Sequence, residues 1–371
     1  MIVYKLNTLL IKETFTYKMV KTYAGAFTAL ITPFDEKFQI DYVGFKKNIE
    51  FQIEEGISGI VAMGTTGESA TVTHEEHSEI IARAVKFSNK KCVVIGGTGS
   101  NSTEEAIMET AKAQKNGVDA VLLVDCYYNK PSSLELRNEY YGVLADEFPR
   151  LDIIPYVIPS RTGTVLSPED LALLHEDHKN IVAVKEATGD LERMRKTRCL
   201  LGMDFNIISG DDFITFDMMT DSRIKSCGVI SVVSNIVPRA VSTLCKSILN
   251  DDIEIARKLN DQLKPLFGLV GVRTTDKIKL PNGNYVEIEY KFPNPVPIKT
   301  MMNGLGMLAG PCKRPLGKMT KSGVEIIRNA LKTIWQKNPE FLAPIEKFYG
   351  IDVEERLKKD KYWEKLGYSN I

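Results

Sequence analysis

Short apolar runs alternate with amphipathic stretches along the first 235 residues. The apolar runs are Ala24–Phe34, Gly56–Gly64, Lys91–Gly99, Ala120–Tyr128, Asp152–Ser160, Ile181–Thr188, Phe205–Asp212 and Cys227–Asn235. Their starts lie 22 to 35 residues apart, room for one strand and one helix each. Ile57–Met63, Ala120–Val124 and Cys227–Val233 are nearly continuous in apolar character, as strands covered on both faces of a parallel sheet are. Between the runs, Thr73 and Glu76 have the spacing of a capping box that opens a helix through Phe87. Ser102–Asn116 and Ser167–His178 also begin on capping residues, the second with Pro168 in its first turn. Eight such units predict a (β/α)8 TIM barrel. An open doubly wound sheet is the competing architecture, but Gly97-Thr98-Gly99-Ser100-Asn101-Ser102 lacks the last glycine of a dinucleotide fingerprint.

After Asn235 the pattern changes. Val237–Leu249, Ile253–Leu269, Ile298–Leu308 and Lys321–Gln336 read as helices, interrupted by alternation over Lys277–Tyr290 around Pro281-Asn282-Gly283-Asn284, a hairpin signal. The expected organisation is an extension over 1–22, a catalytic barrel core over 23–235, a helical region over 236–335 with a hairpin inserted at about 271–291, and a helical tail over 336–371. Phe341, Phe348, Tyr349, Tyr362 and Trp363 imply that the tail packs on its own barrel or on a neighbour. Residues 1–18 carry no signal-peptide core or cleavage site, so Met19 is a candidate start.

The chain has 371 residues, 48 Lys plus Arg and 48 Asp plus Glu. A net charge of zero excludes a broad basic footprint for nucleic acid and any global attraction to anionic membranes. No apolar run reaches the length of a membrane span. The six cysteines form no Cys-x-x-Cys pair, and His74-Glu75-Glu76-His77 misses the spacing of a zinc protease. Reduced thiols, a cytoplasmic setting and no metal site are the expectation.

Polar residues gather at the carboxyl ends of the predicted strands, the face on which barrel enzymes build active sites. Lys185 closes the apolar run Ile181–Val184. Desolvation at a barrel mouth favours its neutral amine, a nucleophile toward carbonyls; the plainer alternative is a lysine leaving for solvent or pairing with Glu186. Thr65 and Thr66 lie between Gly64 and Gly67, where hydroxyls and turn N–H groups suit a carboxylate. Tyr128 and Tyr156 are either proton carriers or packing aromatics, and Arg161 is either a carboxylate clamp or half of a surface ion pair.

Gly64-Thr65-Thr66-Gly67-Glu68-Ser69, Tyr127-Tyr128-Asn129, Tyr156-x-x-Pro159-Ser160-Arg161-Thr162-Gly163 and Val184-Lys185-Glu186-Ala187-Thr188-Gly189 resemble the motifs of the dihydrodipicolinate synthase family, in the pyruvate-dependent class I aldolase superfamily with N-acetylneuraminate lyase. The resemblance runs from about Gly25 to about Ala330, interrupted after Leu269. It implies an imine between Lys185 and pyruvate, whose carboxylate sits on Thr65 and Thr66, and an enamine that attacks aspartate semialdehyde in lysine biosynthesis. Tyr156, Thr66 and Tyr128 match its proton relay, with Tyr128 donated by a neighbouring subunit in a homotetramer built from dimers. Arg161 matches the group that binds the second substrate's carboxylate. Ile230 matches a position whose carbonyl lies near the imine, and Gly210 adjoins the substrate. No metal or organic cofactor is implied. Ser69, Ala70, His74, His77, Asn101, Glu105 and Tyr127 match positions that bind inhibitory lysine; otherwise they form a polar, solvated helix start.

The chain departs from the family at Val157, where Asn is usual, and at Asp125-Cys126, which replaces a frequent Thr-Pro. These departures bear on the surroundings of Tyr156 and on the expected subunit contact. A pyruvate-dependent sugar-acid aldolase and a non-catalytic small-molecule-binding barrel are the alternative readings.

Overall fold

A computed structural model of the chain describes residues 23–369. The expected extension over 1–22 and the candidate start at Met19 lie outside the described residues. Each of the eight apolar runs contains one strand: β1 Gly25–Ala29, β2 Gly59–Ala62, β3 Val93–Gly97, β4 Ala120–Val124, β5 Asp152–Val157, β6 Ala183–Glu186, β7 Asn206–Ser209 and β8 Gly228–Ser231. They pair in chain order, and β1 closes onto β8 with Phe27 opposite Ile230. All the pairings in this ring are parallel. The chain is therefore a closed eight-stranded barrel, and the open-sheet alternative falls.

Alternation along each strand sorts side chains between two cores. Phe27, Val61, Ile95, Leu122, Ile154 and Ile208 are among those that fill the barrel interior. Val121, Ile153, Val157, Val184, Ile207 and Val229 belong to the larger core that includes the surrounding helices. This explains why the strands read as continuous apolar runs rather than alternating ones.

The helix starts follow the sequence cues. Thr73 Oγ1 accepts from Glu76 N at 3.2 Å, and Glu76 Oε2 accepts from Thr73 N at 2.9 Å, completing the capping box of His74–Ser88. Ser102 caps Thr103–Asn116, and Ser167 caps Pro168–Asp177. Beyond the barrel run Pro238–Leu249, Ile253–Phe267, Val296–Leu305 and Lys321–Lys337.

The inserted hairpin is an antiparallel ribbon of β9 Val272–Lys279 and β10 Tyr285–Phe292. Gly283, at φ +86°, helps to turn it. Its base is anchored on the helix Lys321–Lys337. Thr274 shares a 3.1 Å hydroxyl contact with Thr320, and Ser322 Oγ donates to Asp276 at 2.7 Å.

The tail packs on its own chain. Tyr349 OH donates to Asn48 Oδ1 at 2.7 Å, and the Phe348 and Tyr349 rings lie 5.2 and 5.4 Å from Phe51. Trp363 covers Gly304, where any Cβ would run into the indole. Arg356 donates to the carbonyls of Gly304 and Asn303, both at 2.8 Å.

A fully buried ion pair joins the barrel to the C-terminal helices. Lys299 Nζ donates to Glu68 Oε1 at 2.7 Å, Thr32 O at 2.9 Å and Pro311 O at 2.6 Å. Glu68 Oε2 accepts from Lys313 N at 2.7 Å. Both side chains are buried, at 1% and 0% exposure. Lys299→Met is expected to leave the Glu68 charge uncompensated and cost about 3–5 kcal/mol. Urea unfolding checks this, since an unchanged midpoint would show that the pair does not hold these parts together.

Candidate active site

Lys185 lies on β6 facing the interior, two residues after Ala183. It is paired in register with Tyr156 of β5, and its ammonium nitrogen sits 4.0 Å from the centroid of the Tyr156 ring. Burial is the main cause that pulls the lysine down to about 7. Asp212 opposes this fall and Arg161 adds to it. A substantial share of neutral amine is thus present near neutral pH, as imine chemistry requires. The plainer reading, a lysine reaching solvent or pairing with Glu186, fails: Glu186 points to the outer side and takes Arg193 Nε at 3.1 Å.

Tyr156 is buried, which pushes its phenol up to about 12 against the opposing effects of Arg161 and a side-chain hydrogen bond with Thr65. It therefore stands as a proton donor at neutral pH. The threonine joined to Tyr156 is Thr65. Thr66, expected as the relay member, is buried and accepts from Asn294 Nδ2 at 2.9 Å. The two occupy the centre of a tight turn, with Gly67 N donating to Gly64 O at 3.0 Å and Glu68 N donating to Thr65 O at 3.1 Å.

Arg161 lies on the short helix Pro159–Thr162, exposed at the mouth, and donates to Asn294 O at 3.2 Å. Asn294 thus touches both proposed carboxylate-binding elements, Thr66 through its side chain and Arg161 through its backbone. Sequence reasoning missed it, because Pro293-Asn294-Pro295 reads only as a turn. Gly210 lies against the lysine: a Cβ there would sit 3.1 Å from Lys185 Cε and 2.8 Å from Ala187 Cβ. Ile230 is buried in the interior on β8. Val157 faces the helices, not the face of Tyr156, so replacing the usual Asn leaves the inner side of the site alone.

Asp212 was also missed as a site residue. Its Oδ2 accepts from the backbone N–H groups of Val232 at 2.9 Å and Val233 at 3.1 Å. Burial nevertheless raises it to about 6. The doublet Asp211-Asp212 at a strand end was the available signal. Tyr128 stands apart from this cluster, 86% exposed and in the left-handed region at φ +71°.

The residues matched to lysine binding form a second cluster. Ser69 and Ala70 lie on the turn Ser69–Thr71 that precedes the helix of His74 and His77. His74 Nε2 is 2.9 Å from Glu105 Oε1, and Ser100 Oγ donates to the other Glu105 oxygen. Asn101 Oδ1 accepts from Tyr127 N at 2.8 Å. Glu109, absent from the expected set, lies behind them, with His77 Nδ1 at 3.2 Å and Lys112 Nζ at 2.8 Å. Burial works to raise Glu109, but His77 and Lys112 win and hold it at about 2. His77 is buried rather than solvated. Among the described residues no group of three His, Cys, Asp or Glu side chains is arranged to hold a metal ion, and no helix is long and apolar enough to cross a membrane.

A barrel with a neutralisable lysine at its mouth, stacked on a tyrosine, has the makings of an imine-forming lyase. The chain belongs to the dihydrodipicolinate synthetase family, whose model matches residues 22–334. It is 40% identical over 309 residues to the 4-hydroxy-tetrahydrodipicolinate synthase of Sulfurihydrogenibium sp. (strain YO3AOP1), across 83% of this chain and 97% of that relative. Among solved structures, it resembles the pyruvate-complexed dihydrodipicolinate synthase of Acinetobacter baumannii, with 34% identity and a TM-score of 0.74 over 84% of this chain and 99% of that one. It also resembles the lysine-bound enzyme of Cyanidioschyzon merolae, with 32% identity and a TM-score of 0.75 over 84% and 98%.

The Lys185 environment makes a pH prediction. Imine formation at Lys185 is expected to rise about tenfold per pH unit below about 7 and level off above it, as neutral amine accumulates. Asp212→Asn removes the charge that favours the ammonium, so the inflection moves to lower pH. Single-turnover rates across pH measure both, and an unmoved inflection would refute the coupling.

Proposed function

We propose that the chain acts as a 4-hydroxy-tetrahydrodipicolinate synthase, condensing pyruvate with aspartate semialdehyde. The observation that carries this reading is Lys185, buried and stacked on Tyr156 at the barrel mouth. Its neutral amine attacks the keto carbon of pyruvate and water leaves, giving an imine. The Tyr156 phenol gives its proton to the departing oxygen and the resulting phenolate takes up a methyl proton, giving the enamine, whose carbon bonds to the aldehyde carbon of the second substrate. Tyr156 supplies the proton taken up by the new alkoxide. The substrate's own amine then attacks the imine carbon, closes the ring and releases Lys185. Water is the one molecule lost, and the protonated imine is the electron sink, so this chemistry calls on no metal or organic cofactor.

Pyruvate's carboxylate is assigned to Thr65 and Thr66 and that of the semialdehyde to Arg161. The hydrogen bond of Thr65 to Tyr156 supports Thr65, rather than Thr66, as the relay partner. Tyr128 completes the relay in a neighbouring subunit, a reading supported by its exposure, with a homotetramer built from dimers as the assembly. The cluster of His74, Glu105, Asn101 and Tyr127 is assigned to inhibitory lysine. Glu105 is the partner for an ammonium, in place of His74.

Borohydride reduction in the presence of pyruvate is expected to fix an adduct on Lys185, located by peptide mapping; an unmodified Lys185 would sink both aldolase readings. In a substrate panel, condensation with aspartate semialdehyde should exceed cleavage of N-acetylneuraminate or a 2-keto-3-deoxy acid. The opposite order would keep the imine and overturn the synthase. Free lysine should inhibit, and Glu105→Ala should raise the half-inhibitory concentration about tenfold or more by removing a charged hydrogen bond. A flat lysine titration would remove the regulatory assignment.

A further inference from the structure

Asp125 is one of the chain's departures from its family's motifs, and it is fully buried at the end of β4, one residue before the segment that carries Tyr127 and Tyr128. Its side chain does not reach the outer surface. Oδ1 accepts from Tyr141 OH at 2.6 Å, on the π-helical turn Leu136–Tyr141, and Oδ2 accepts from Leu166 N at 3.3 Å. Its own N–H donates to Tyr156 O at 3.1 Å. One residue thereby ties the strand of the buried catalytic tyrosine to two elements of the barrel wall.

Beyond Asp125 the chain takes an unfavourable course. Tyr128 and Lys130 are both left-handed, at φ +71° and +55°, a conformation that non-glycine residues hold only where neighbours enforce it. Two further contacts enforce it: Tyr127 N donates to Asn101 Oδ1 at 2.8 Å, and Thr164 Oγ1 donates to Pro131 O. Asp125 anchors the base of the same segment. The anchor tolerates a proton. Tyr141 OH also reaches Leu123 O at 3.1 Å, so a neutral Asp125 can donate to Tyr141 while Tyr141 donates to Leu123. The groups around it are Tyr141, Tyr140, Cys126, the Leu166 N–H, Arg193 and Glu186, and Arg193 is already engaged by Glu186 and Leu166 O.

We propose that Asp125 is a positioning residue that, through Tyr141 and the Leu166 backbone, fixes the 125–130 segment so that Tyr128 projects outward in the orientation its relay role needs. The proposal rests on the reading of Tyr128 as a relay residue for a neighbouring active site, and the test separates the two.

The experiment compares kcat for pyruvate and aspartate semialdehyde across Asp125→Leu, Asp125→Asn, Tyr128→Phe and the double variant Asp125→Leu/Tyr128→Phe. Tyr128→Phe should lower kcat about 10²-fold, the scale of a lost proton-transfer group. Asp125→Leu, close in size but without hydrogen bonds, should lower it at least about tenfold, while Asp125→Asn, which keeps an acceptor and a donor, should stay within about threefold. The decisive result is non-additivity: the double variant should lie within about twofold of Tyr128→Phe alone, because a residue that acts through Tyr128 has nothing left to act on. A general structural loss would multiply instead. Multiplied losses, or Asp125→Leu within threefold of the parent, overturn the proposal. If Asp125→Leu does not fold, Tyr141→Phe takes its place in the cycle with the same two outcomes. If Tyr128→Phe alone leaves kcat unchanged, the relay reading itself fails, visibly and without any change at Asp125, and the proposal falls with it.

Discussion

Two charges buried against each other hold this molecule in its working shape. Glu68 and Lys299 meet at 2.7 Å where neither is exposed to water. Taking both out of water is costly, and the pair is tolerable only because its remaining donors and acceptors are met. Lys299 uses all three protons, on Glu68, Thr32 O and Pro311 O, and the second Glu68 oxygen takes the Lys313 N–H. Because Glu68 sits in the left-handed region immediately after Thr65, Thr66 and Gly67, fixing its carboxylate fixes that loop. The helices after β8 are therefore a structural part of the site. They deliver the lysine that locks the loop, and the strap before them delivers Asn294, which holds Thr66 and receives Arg161.

With the loop fixed, the barrel's register does the rest. Tyr156 and Lys185 are partners on adjacent strands, so the phenol face and the amine are stacked before any substrate arrives. The lysine's basicity is then set by opposing neighbours: desolvation and Arg161 favour the neutral amine, and Asp212 favours the ammonium. The outcome near 7 leaves the group able to attack as an amine and to exist as a cationic imine afterwards. A chain of zero net charge handles small acids in this way with a few placed groups and no overall field.

Much of this was legible in the linear chain, for definite reasons. Strands covered on both faces leave uninterrupted apolar runs, so all eight declared themselves, and caps such as Thr73 with Glu76 are local by nature. Lys185 was legible because it breaks an apolar run at its end. Lys299, Asn294 and Asp212 were not. Their meaning lies in partners far along the chain: 231 residues from Glu68 for Lys299, and 228 from Thr66 for Asn294. Asp212 looks like any polar strand end until the closed barrel sets it beside Val232 and Lys185. Neighbouring threonines in a turn face different ways, and nothing in Gly-Thr-Thr-Gly says which one meets Tyr156. The tail's aromatics announced packing without naming the surface, since composition carries no direction.

The hairpin shows how such a site accommodates added chain. It enters and leaves the fold at one point, because Val272 and Phe292 are paired across the ribbon. Lengthening a connection whose ends already meet adds little closure entropy. Val272 is buried and its register partner Phe292 packs against the core, whereas the turn at Asn282 and Gly283 is exposed. The ribbon's length can thus vary without moving its base. That base leads directly into Pro293 and Asn294, so the base must be held even where the tip is free. The contacts of Thr274 with Thr320 and of Asp276 with Ser322 supply that restraint from the helix Lys321–Lys337. An insertion of this kind is compatible with catalysis because its anchoring and its variation occur at opposite ends of the same two strands.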